Sequence, residues 1–436
     1  MPKRVALAVL TAIALRIFLA HRYFGFLSGD DVEIGQEAFR RALGLAFEPW
    51  DVRSLLIPDV LVAPVIRMFA AAGITDRFVL AEAARYPFIL LSALNIALLF
   101  ILGRRWFDEK TGAVAAVLYA AHWMPNVLGS SLYPRTVAVT CILVGAILLN
   151  EESFAKACIA GALAALALTA RYSEAIYFVS LLVIAWPSRR KISGLIAGFA
   201  IGFAIFVGAY DWLTWGRPFG SLIAFAHLTF VRQDASSRIV SQPFRYYLSN
   251  LPNWLPLTAI PLLFVRAEKR KLIAFIALPV IALSAIFHKE LRYLQVVVPF
   301  ALLLAAHGFA MWPSRKWIAI ALVSLAIPLG AARIGGVTRR SSNAVAAARW
   351  IATQHPRVVA LSQPWAYGGR IFFGNTPSIL DLPTPPSLRD LQSLPGDTDF
   401  IALFRSDVTP ETTQAAGLTE VRTFADQSGR AVVVVH

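Results

Sequence analysis

The chain has 436 residues, of which 57% are hydrophobic and only 15% charged, against about 25% charged in a typical soluble domain. A mean hydropathy of +0.62 places most of it in lipid and excludes an ordinary soluble enzyme. The formal net charge of +15 would suit nucleic acid. Its basic residues, however, lie in short connectors between apolar runs, where membrane topology requires them, so nucleic acid is excluded as a partner. Cys141 and Cys158 both lie inside apolar runs and imply no disulfide framework.

In chain order, the basic start Met1–Arg4 and the apolar run Val5–Ala20 resemble a signal peptide but lack a small-residue cleavage site, so they read as an uncleaved first span. A bilayer takes about 20 apolar residues as a helix, and by that measure the chain holds about eleven spans. The first is Arg4–Phe24. The next group comprises Tyr86–Gly103, Gly112–Asn126, Pro134–Leu149, Phe154–Ala170, Glu174–Pro187 and Ile192–Leu213. The last four are Leu251–Val265, Lys271–Phe287, Leu291–Met311 and Trp317–Ala332. Ser28–Arg85 is expected to be a long outer loop with helices along the interface, one of them near Asp31–Arg41, because its apolar middle carries Pro58, Asp59, Pro64 and Arg67. Thr214–Asn250 is the second long outer segment. Composition changes at Arg339. Residues 1–338 form a membrane domain, and 339–436 form a small soluble α/β domain with strands near Val358–Leu361, Phe400–Phe404 and Ala431–Val435 and a helix near Ser341–Thr353.

Two kinds of polar cluster alternate between the runs. Arg104, Arg105 and Lys110, then Arg189–Lys191, then Arg266 and Lys269–Lys271, then Arg315 and Lys316 belong on the cytoplasmic side by the positive-inside rule. The other set then collects on the opposite face. It includes Asp30 and Asp31, Arg171 and Glu174, Asp211, and His288-Lys289-Glu290. The N-terminus is therefore expected inside and the C-terminal domain outside.

The second set carries the candidate chemistry. Asp30 and Asp31 follow the first span, where an acidic pair serves as a general base or simply favours a helix N-terminus. Glu48, Trp50, Asp51 and Arg53 mix carboxylate, indole and guanidinium as sugar pockets do, though ordinary surface loops show the same mix. His288, Lys289, Glu290 and Arg292 crowd a membrane boundary, which is costly unless they are paired or functional. Lys289 and Arg292 suit a phosphate, with Glu290 expected to orient Lys289; a self-paired polar connector is the plainer alternative. Arg135, Arg171, Glu174 and Asp211 sit at outer ends of spans, as do His122, Trp123 and Asn126. No ligand spacing supports a metal site, and no Gly-rich loop points to a nucleotide cofactor.

Several of these motifs occur in one order. Gly29-Asp30-Asp31-Val32 precedes Phe47-Glu48-Pro49-Trp50, which leads into Arg53-Ser54 and Pro58. Arg135-Thr136, Arg171-Tyr172-Ser173 and Asp211 with Trp215-Gly216-Arg217 follow, and His288-Lys289-Glu290-Leu291-Arg292-Tyr293 closes the series. In this the chain resembles the dolichyl-phosphate-mannose-dependent α-mannosyltransferases of N-glycan and glycosylphosphatidylinositol assembly, over roughly Val5 to Met311. It departs from them in having Asp-Asp for Asp-Glu, Ser28-Gly29 for His-Pro, and only part of the Trp-Glu-Trp element.

The resemblance implies a GT-C-type multi-span helical bundle. It further implies transfer of a sugar, mannose, from a polyprenyl-phosphate donor to a hydroxyl of a glycan or glycolipid acceptor on the non-cytoplasmic face, with inversion. Asp30 and Asp31 would be catalytic. His288, Lys289, Arg292 and Arg171 would hold the donor phosphate, and Glu48, Trp50, Arg53, Arg135, Asp211 and Glu290 would line the substrate site. The Ala- and Arg-rich composition suggests a bacterial inner membrane, or the endoplasmic reticulum if the chain is eukaryotic. A transporter or flippase for a lipid-linked anion is the alternative; it should carry mid-span charges and internal repeats. A membrane scaffold with an exported domain is a third reading, and it gives no reason to concentrate acids, His and Arg on one face.

Overall fold

The computed structural model describes residues 2–22, 26, 28–46, 53–232, 241–255, 270–286, 288–310, 328–335, 342–426 and 429–436. The chain is mostly helical and separates into two compact units. One comprises residues 1–16, 52–57 and 87–334; the other comprises 17–51, 58–86 and 335–436.

The described residues of the first unit form helices and turns. Three stretches of the described chain, Lys3–His21, Arg77–Trp106 and Arg189–Trp215, are long and apolar enough to cross a membrane. Shorter apolar helices include Arg135–Leu148, Phe154–Ala170, Lys271–Ala285 and Val297–Phe309. The expected spans at 251–265 and 317–332 lie largely outside the described residues. Side-chain caps set where several helices begin. Asp108 accepts from the Thr111 amide at 2.8 Å, Ser153 from the Lys156 amide at 3.3 Å and Ser188 from the Lys191 amide at 3.2 Å. Each satisfies an amide that a helix start leaves without a partner.

In lipid the hydrophobic effect does not drive helices together, so close packing must. Gly194, Gly198 and Gly202 recur every fourth residue along one face of the helical stretch from Arg189. They meet Phe154–Ala170 at backbone contact. A methyl group built on Gly198 would stand 1.8 Å from the Cys158 carbonyl, and one on Gly161 would stand 2.1 Å from the Leu195 carbonyl.

The second unit is built on a five-stranded sheet. Its strands are β1 (Val358–Ser362), β2 (Ser378–Leu382), β3 (Phe400–Phe404), β4 (Glu420–Ala425) and β5 (Ala431–Val435), in the order β2-β1-β3-β5-β4. β1 runs parallel to β2 and β3, and β5 antiparallel to β3 and β4. The three strands expected from the sequence are the central ones. β2 and β4 are the edges, and the mostly exposed β4, Glu-Val-Arg-Thr-Phe-Ala, has no apolar run to announce it. Ala360, Leu382, Ile401, Leu403 and Val433 form the core. The helix Ser342–Thr353 sets Trp350 edge-on to Phe400 at 5.5 Å.

The segment read as a long loop supplies much of the rest of this unit. It holds the helices Gly29–Leu43, Ala63–Ala71 and Arg77–Ala83. The first is fixed to the C-terminal region by polar bonds: the Arg370 amide donates to Gln36 Oε1 at 2.7 Å, and Asn375 Nδ2 donates to the Gly44 carbonyl at 3.2 Å. Phe78 of the third stacks on Phe372 at 4.1 Å.

The glycine contact gives a direct test. Gly198→Leu should prevent close approach of the two helices and lower the thermal midpoint of the detergent-purified protein by several degrees, or abolish recovery of folded protein, as roughly 3 kcal/mol or more of overpacking would. Gly396→Ala, where a methyl meets nothing within 4 Å, should leave the midpoint unchanged.

Candidate functional site

The first unit concentrates its charge around one aromatic ring. Pro134 precedes the helix Arg135–Leu148 and puts Arg135 at its first position, buried. Its Nε donates to Glu174 Oε1 at 2.6 Å, one Nη donates to Ser173 Oγ at 3.2 Å, and the other donates to the Tyr133 hydroxyl. Glu174 and Ser173 come from the 3₁₀ turn Tyr172–Ala175, which follows the helix Phe154–Ala170. The ion pair is sealed from solvent, with 1% and 2% of the two side chains exposed.

Tyr293, on the 3₁₀ turn Leu291–Leu294, stands among three guanidinium groups. The guanidinium carbons of Arg135, Arg171 and Arg292 lie 4.5, 5.4 and 5.9 Å from its ring centre. Arg135 and Arg292 each also lie 5.6 Å from the ring centre of Tyr133. A ring within about 6 Å of a cation offsets part of the repulsion among such neighbours. Tyr177 and Tyr247 add two hydroxyls within electrostatic reach of Arg135. The Tyr177 hydroxyl and Glu174 Oε2 are buried and have no hydrogen-bond partner among the described residues.

The 288–292 connector carries its own network. Glu290 Oε1 bonds His288 Nε2 at 2.8 Å and accepts from an Arg292 Nη at 2.7 Å, while its other oxygen faces Arg292 Nε. Burial pushes the Glu290 carboxyl up, but the His288 bond and the Arg292 charge outweigh it and hold it below its usual range. Lys289 takes a different direction from the one expected. Its ammonium donates to the carbonyls of Gln242, at 2.7 Å, and Ile286. Glu290 therefore orients its neighbours two residues away on either side, His288 and Arg292, and Lys289 ties two pieces of backbone.

Asp211 is buried and committed locally. Its Oδ2 accepts from the Ser221 amide at 2.9 Å and the Ser221 hydroxyl at 2.6 Å, and that hydroxyl also bonds Tyr172. It thus secures the turn after Trp215 and reaches the Arg171 neighbourhood through Tyr172. His122 is likewise engaged. Its Nδ1 accepts from the Met124 amide at 3.1 Å, so its Nε2 carries the proton donated to the Trp254 carbonyl at 2.8 Å. Trp123 Nε1 donates to the Asn253 carbonyl at 2.9 Å, and Asn126 Nδ2 to the His122 carbonyl at 2.9 Å. Arg53 is half-buried.

In the second unit, Asp30 and Asp31 open the helix Gly29–Leu43 after Ser28. Both are buried, Asp31 fully, so they are not a solvated helix end. Asp31 acts electrostatically on the buried Arg85 guanidinium. Glu48, Trp50 and Asp51 lie outside the described residues. Among the described residues no group of three or more His, Cys, Asp or Glu side chains is placed to hold a metal ion.

The structure thus gathers Arg135, Arg171, Glu174, His288, Glu290 and Arg292 of the expected residues, and adds Tyr133, Ser173 and Tyr293. Ser173 and Tyr293 stand inside two of the quoted motifs. Their only sequence signal is a place within two residues of an arginine, Arg171 or Arg292.

Comparison with known proteins bears on the family and the fold. Residues 46–355 match the Alg9-like mannosyltransferase family. A stretch of 133 residues is 30% identical to GPI mannosyltransferase 3 of Yarrowia lipolytica (strain CLIB 122 / E 150), covering 28% of this chain and 26% of that protein. The chain thus spans about a quarter of that relative's length. The crystal structure of apo ArnT from Cupriavidus metallidurans superposes with a TM-score of 0.69 at 14% identity, covering 99% of this chain and 97% of that one. The same protein bound to undecaprenyl phosphate gives a TM-score of 0.65 at 13% identity, with the same coverage. The mycobacterial arabinofuranosyltransferase AftD gives 0.57 at 11% identity, covering 99% of this chain and 40% of AftD. The family resemblance read from the motifs holds, and so does the expectation of a mostly helical chain with a small C-terminal sheet.

The buried ion pair can be tested by itself. Glu174→Ala leaves Arg135 buried without its carboxylate and should cost about 3–5 kcal/mol of stability, whereas the double variant Arg135→Met with Glu174→Leu should recover most of it. Equilibrium unfolding of the detergent-solubilised variants measures both. Equal losses in the single and double variants would mean that the pair is not what stabilises this region.

Proposed function

The chain belongs to the Alg9-like mannosyltransferase family, and from that premise we propose that it transfers mannose from a polyprenyl-phosphate carrier to an acceptor hydroxyl. The observation that carries the reading is the convergence of Arg135, Arg171 and Arg292 on Tyr293, with Glu174 and Glu290 as the balancing acids. Guanidiniums gathered around one ring suit a phosphodiester that gains charge as its sugar leaves. ArnT binds undecaprenyl phosphate, and a lipid-phosphate donor of that class fits this cationic cluster.

The acceptor oxygen attacks the anomeric carbon as the bond from that carbon to the phosphate oxygen breaks. The electron pair of that bond goes to the phosphate, and the acceptor proton goes to Asp30, the general base. Attack opposite the phosphate inverts the configuration, so a β-mannosyl phosphate gives an α-mannoside. Arg171 and Arg292 meet the charge growing on the phosphate, and preorganised donors of this kind act where charge develops. His288 supports them. Lys289 holds the connector to the Gln242 and Ile286 carbonyls, with its remaining N–H directed at the donor. Asp31 supports Asp30, and Glu48, Trp50 and Arg53 contact the sugar or acceptor. The reaction lies on the non-cytoplasmic face of a bacterial inner membrane, with the N-terminus inside and residues 339–436 outside.

Transfer to acceptor glycolipid by purified protein tests the assignments. Asp30→Asn should lower turnover by about 10²-fold or more with unchanged expression, and Arg292→Ala should raise KM for the lipid-linked donor more than KM for the acceptor. Near-normal turnover in Asp30→Asn removes Asp30 as the base, and a selective loss in Asp31→Asn moves the role to its neighbour.

A further inference from the structure

Beside the guanidinium cluster runs a line of buried polar side chains that the proposed chemistry does not use. Gln295 follows the 3₁₀ turn Leu291–Leu294 and caps it, its amide donating to the Arg292 carbonyl at 3.2 Å. Its side-chain Nε2 donates to Thr136 Oγ1 at 3.1 Å, across 159 positions of sequence. Thr136 is the second residue of the helix Arg135–Leu148. Its carbonyl accepts from Asn95 Nδ2 at 3.4 Å, and Asn95 Oδ1 accepts from Thr140 Oγ1 at 2.8 Å. Asn95 comes from a third element, the helix Tyr86–Trp106. Gln295, Thr136 and Asn95 are each at most 1% exposed.

Stability alone does not account for this line. Leu or Met would fill the place of Gln295 with no polar atom to bury. Gln295 Oε1 is buried and has no hydrogen-bond partner among the described residues, so the side chain makes one bond at the cost of an unmet acceptor. Apolar packing has no preferred direction, whereas a hydrogen bond fixes a distance and an angle. The neighbours of this bond show what it fixes. Thr136 stands one residue after Arg135, and Gln295 stands two residues after Tyr293. The bond therefore lies next to the contact that centres the cluster, the Arg135 guanidinium 4.5 Å from the Tyr293 ring centre. A cation over a ring tolerates rotation about the ring axis. The adjacent hydrogen bond removes that freedom and locks the turn against the start of the helix. Asn95 in turn holds the Thr136 backbone from a separate helix.

We infer that Gln295 and Thr136 are positioning residues, which hold Tyr293 and Arg292 at their spacing from Arg135 and so set the geometry of the cationic cluster. The consequence for the donor rests on the reading of that cluster as the site of the donor phosphate. Neither side chain touches the donor; both act through Arg292 and Tyr293. A misplacement of about 1 Å in a reacting or binding group costs up to about 10²-fold. Loss of this bond therefore falls on the donor and spares the acceptor, whose proposed contacts belong to other residues.

The experiment uses full-length protein in phosphatidylcholine nanodiscs that contain increasing fractions of undecaprenyl phosphate, and follows the rise in unfolding temperature. Gln295→Leu and Thr136→Val should keep the ligand-free unfolding temperature within a few degrees and each weaken binding about tenfold. Because both break the same bond, the double variant should bind no more weakly than either single one. Thr136→Ser keeps the hydroxyl and should bind as the unmodified protein does. In transfer assays the two single variants should raise KM for the lipid-linked donor and leave KM for the acceptor unchanged. Should Gln295→Leu not fold, Gln295→Met gives the same comparison. Normal affinity in both single variants, with weakened binding in Arg292→Ala, overturns the positioning role and leaves the donor reading standing. Losses that add in the double variant overturn it as well, since the two residues then act separately. Normal affinity in Arg292→Ala too overturns both the positioning role and the donor reading.

Discussion

Arg135 and Glu174 constrain everything around them, because neither can be buried without the other. Moving either charge out of water costs several kcal/mol, and only close pairing with further hydrogen bonds offsets it. Arg135 has all of this: a carboxylate, two hydroxyls and an aromatic face within 4.5 Å. The pair joins the start of one helix to the turn that ends another, and in doing so fixes where Tyr133, Ser173 and Tyr293 stand. Arg171 and Arg292 are positioned against the same ring. The cationic cluster is thus held by the protein's own side chains, as electrostatic stabilisation of a leaving phosphate requires.

The backbone packing that supports this cluster comes from small residues. Gly194, Gly198 and Gly202 let two helices meet at backbone distance, and Phe154–Ala170 leads directly into the turn bearing Ser173 and Glu174. A bulkier interface would displace that turn, and with it the carboxylate beneath Arg135. Asp211 adds a second restraint from the other side through Ser221 and Tyr172.

Much of this was legible in the sequence where one residue type has one reason to be there. Arg, His and Glu at the ends of apolar runs are expensive, so Arg135, Arg171, Glu174, His288, Glu290 and Arg292 stood out as candidates. The central strands β1, β3 and β5 were visible as apolar runs, whereas the edge strands β2 and β4 carry Asp, Glu and Arg and were missed. The tyrosines were hidden for a related reason. Tyr133 and Tyr293 look like any aromatic at a membrane boundary, and only three-dimensional placement turns them into cation platforms. Lys289 was read from its charge alone; its backbone carbonyl partners lie 47 and three residues away and leave no trace in local sequence. Helices in 28–46 and 58–85 are legible in the sequence, but their place in the unit built on the C-terminal sheet is not, because those contacts span more than 300 residues.

The central claim is that the cationic cluster serves a lipid-linked donor. The most direct measurement supplies membranes containing the overexpressed protein with radiolabelled polyprenyl-phosphate mannose or, separately, radiolabelled nucleotide mannose after extraction of lipid carriers. Label is predicted to reach acceptor glycolipid from the lipid-linked donor, and to be lost with Arg292→Ala at low donor concentration. Transfer from the nucleotide sugar in carrier-depleted membranes, with none from the lipid-linked donor, would contradict the account.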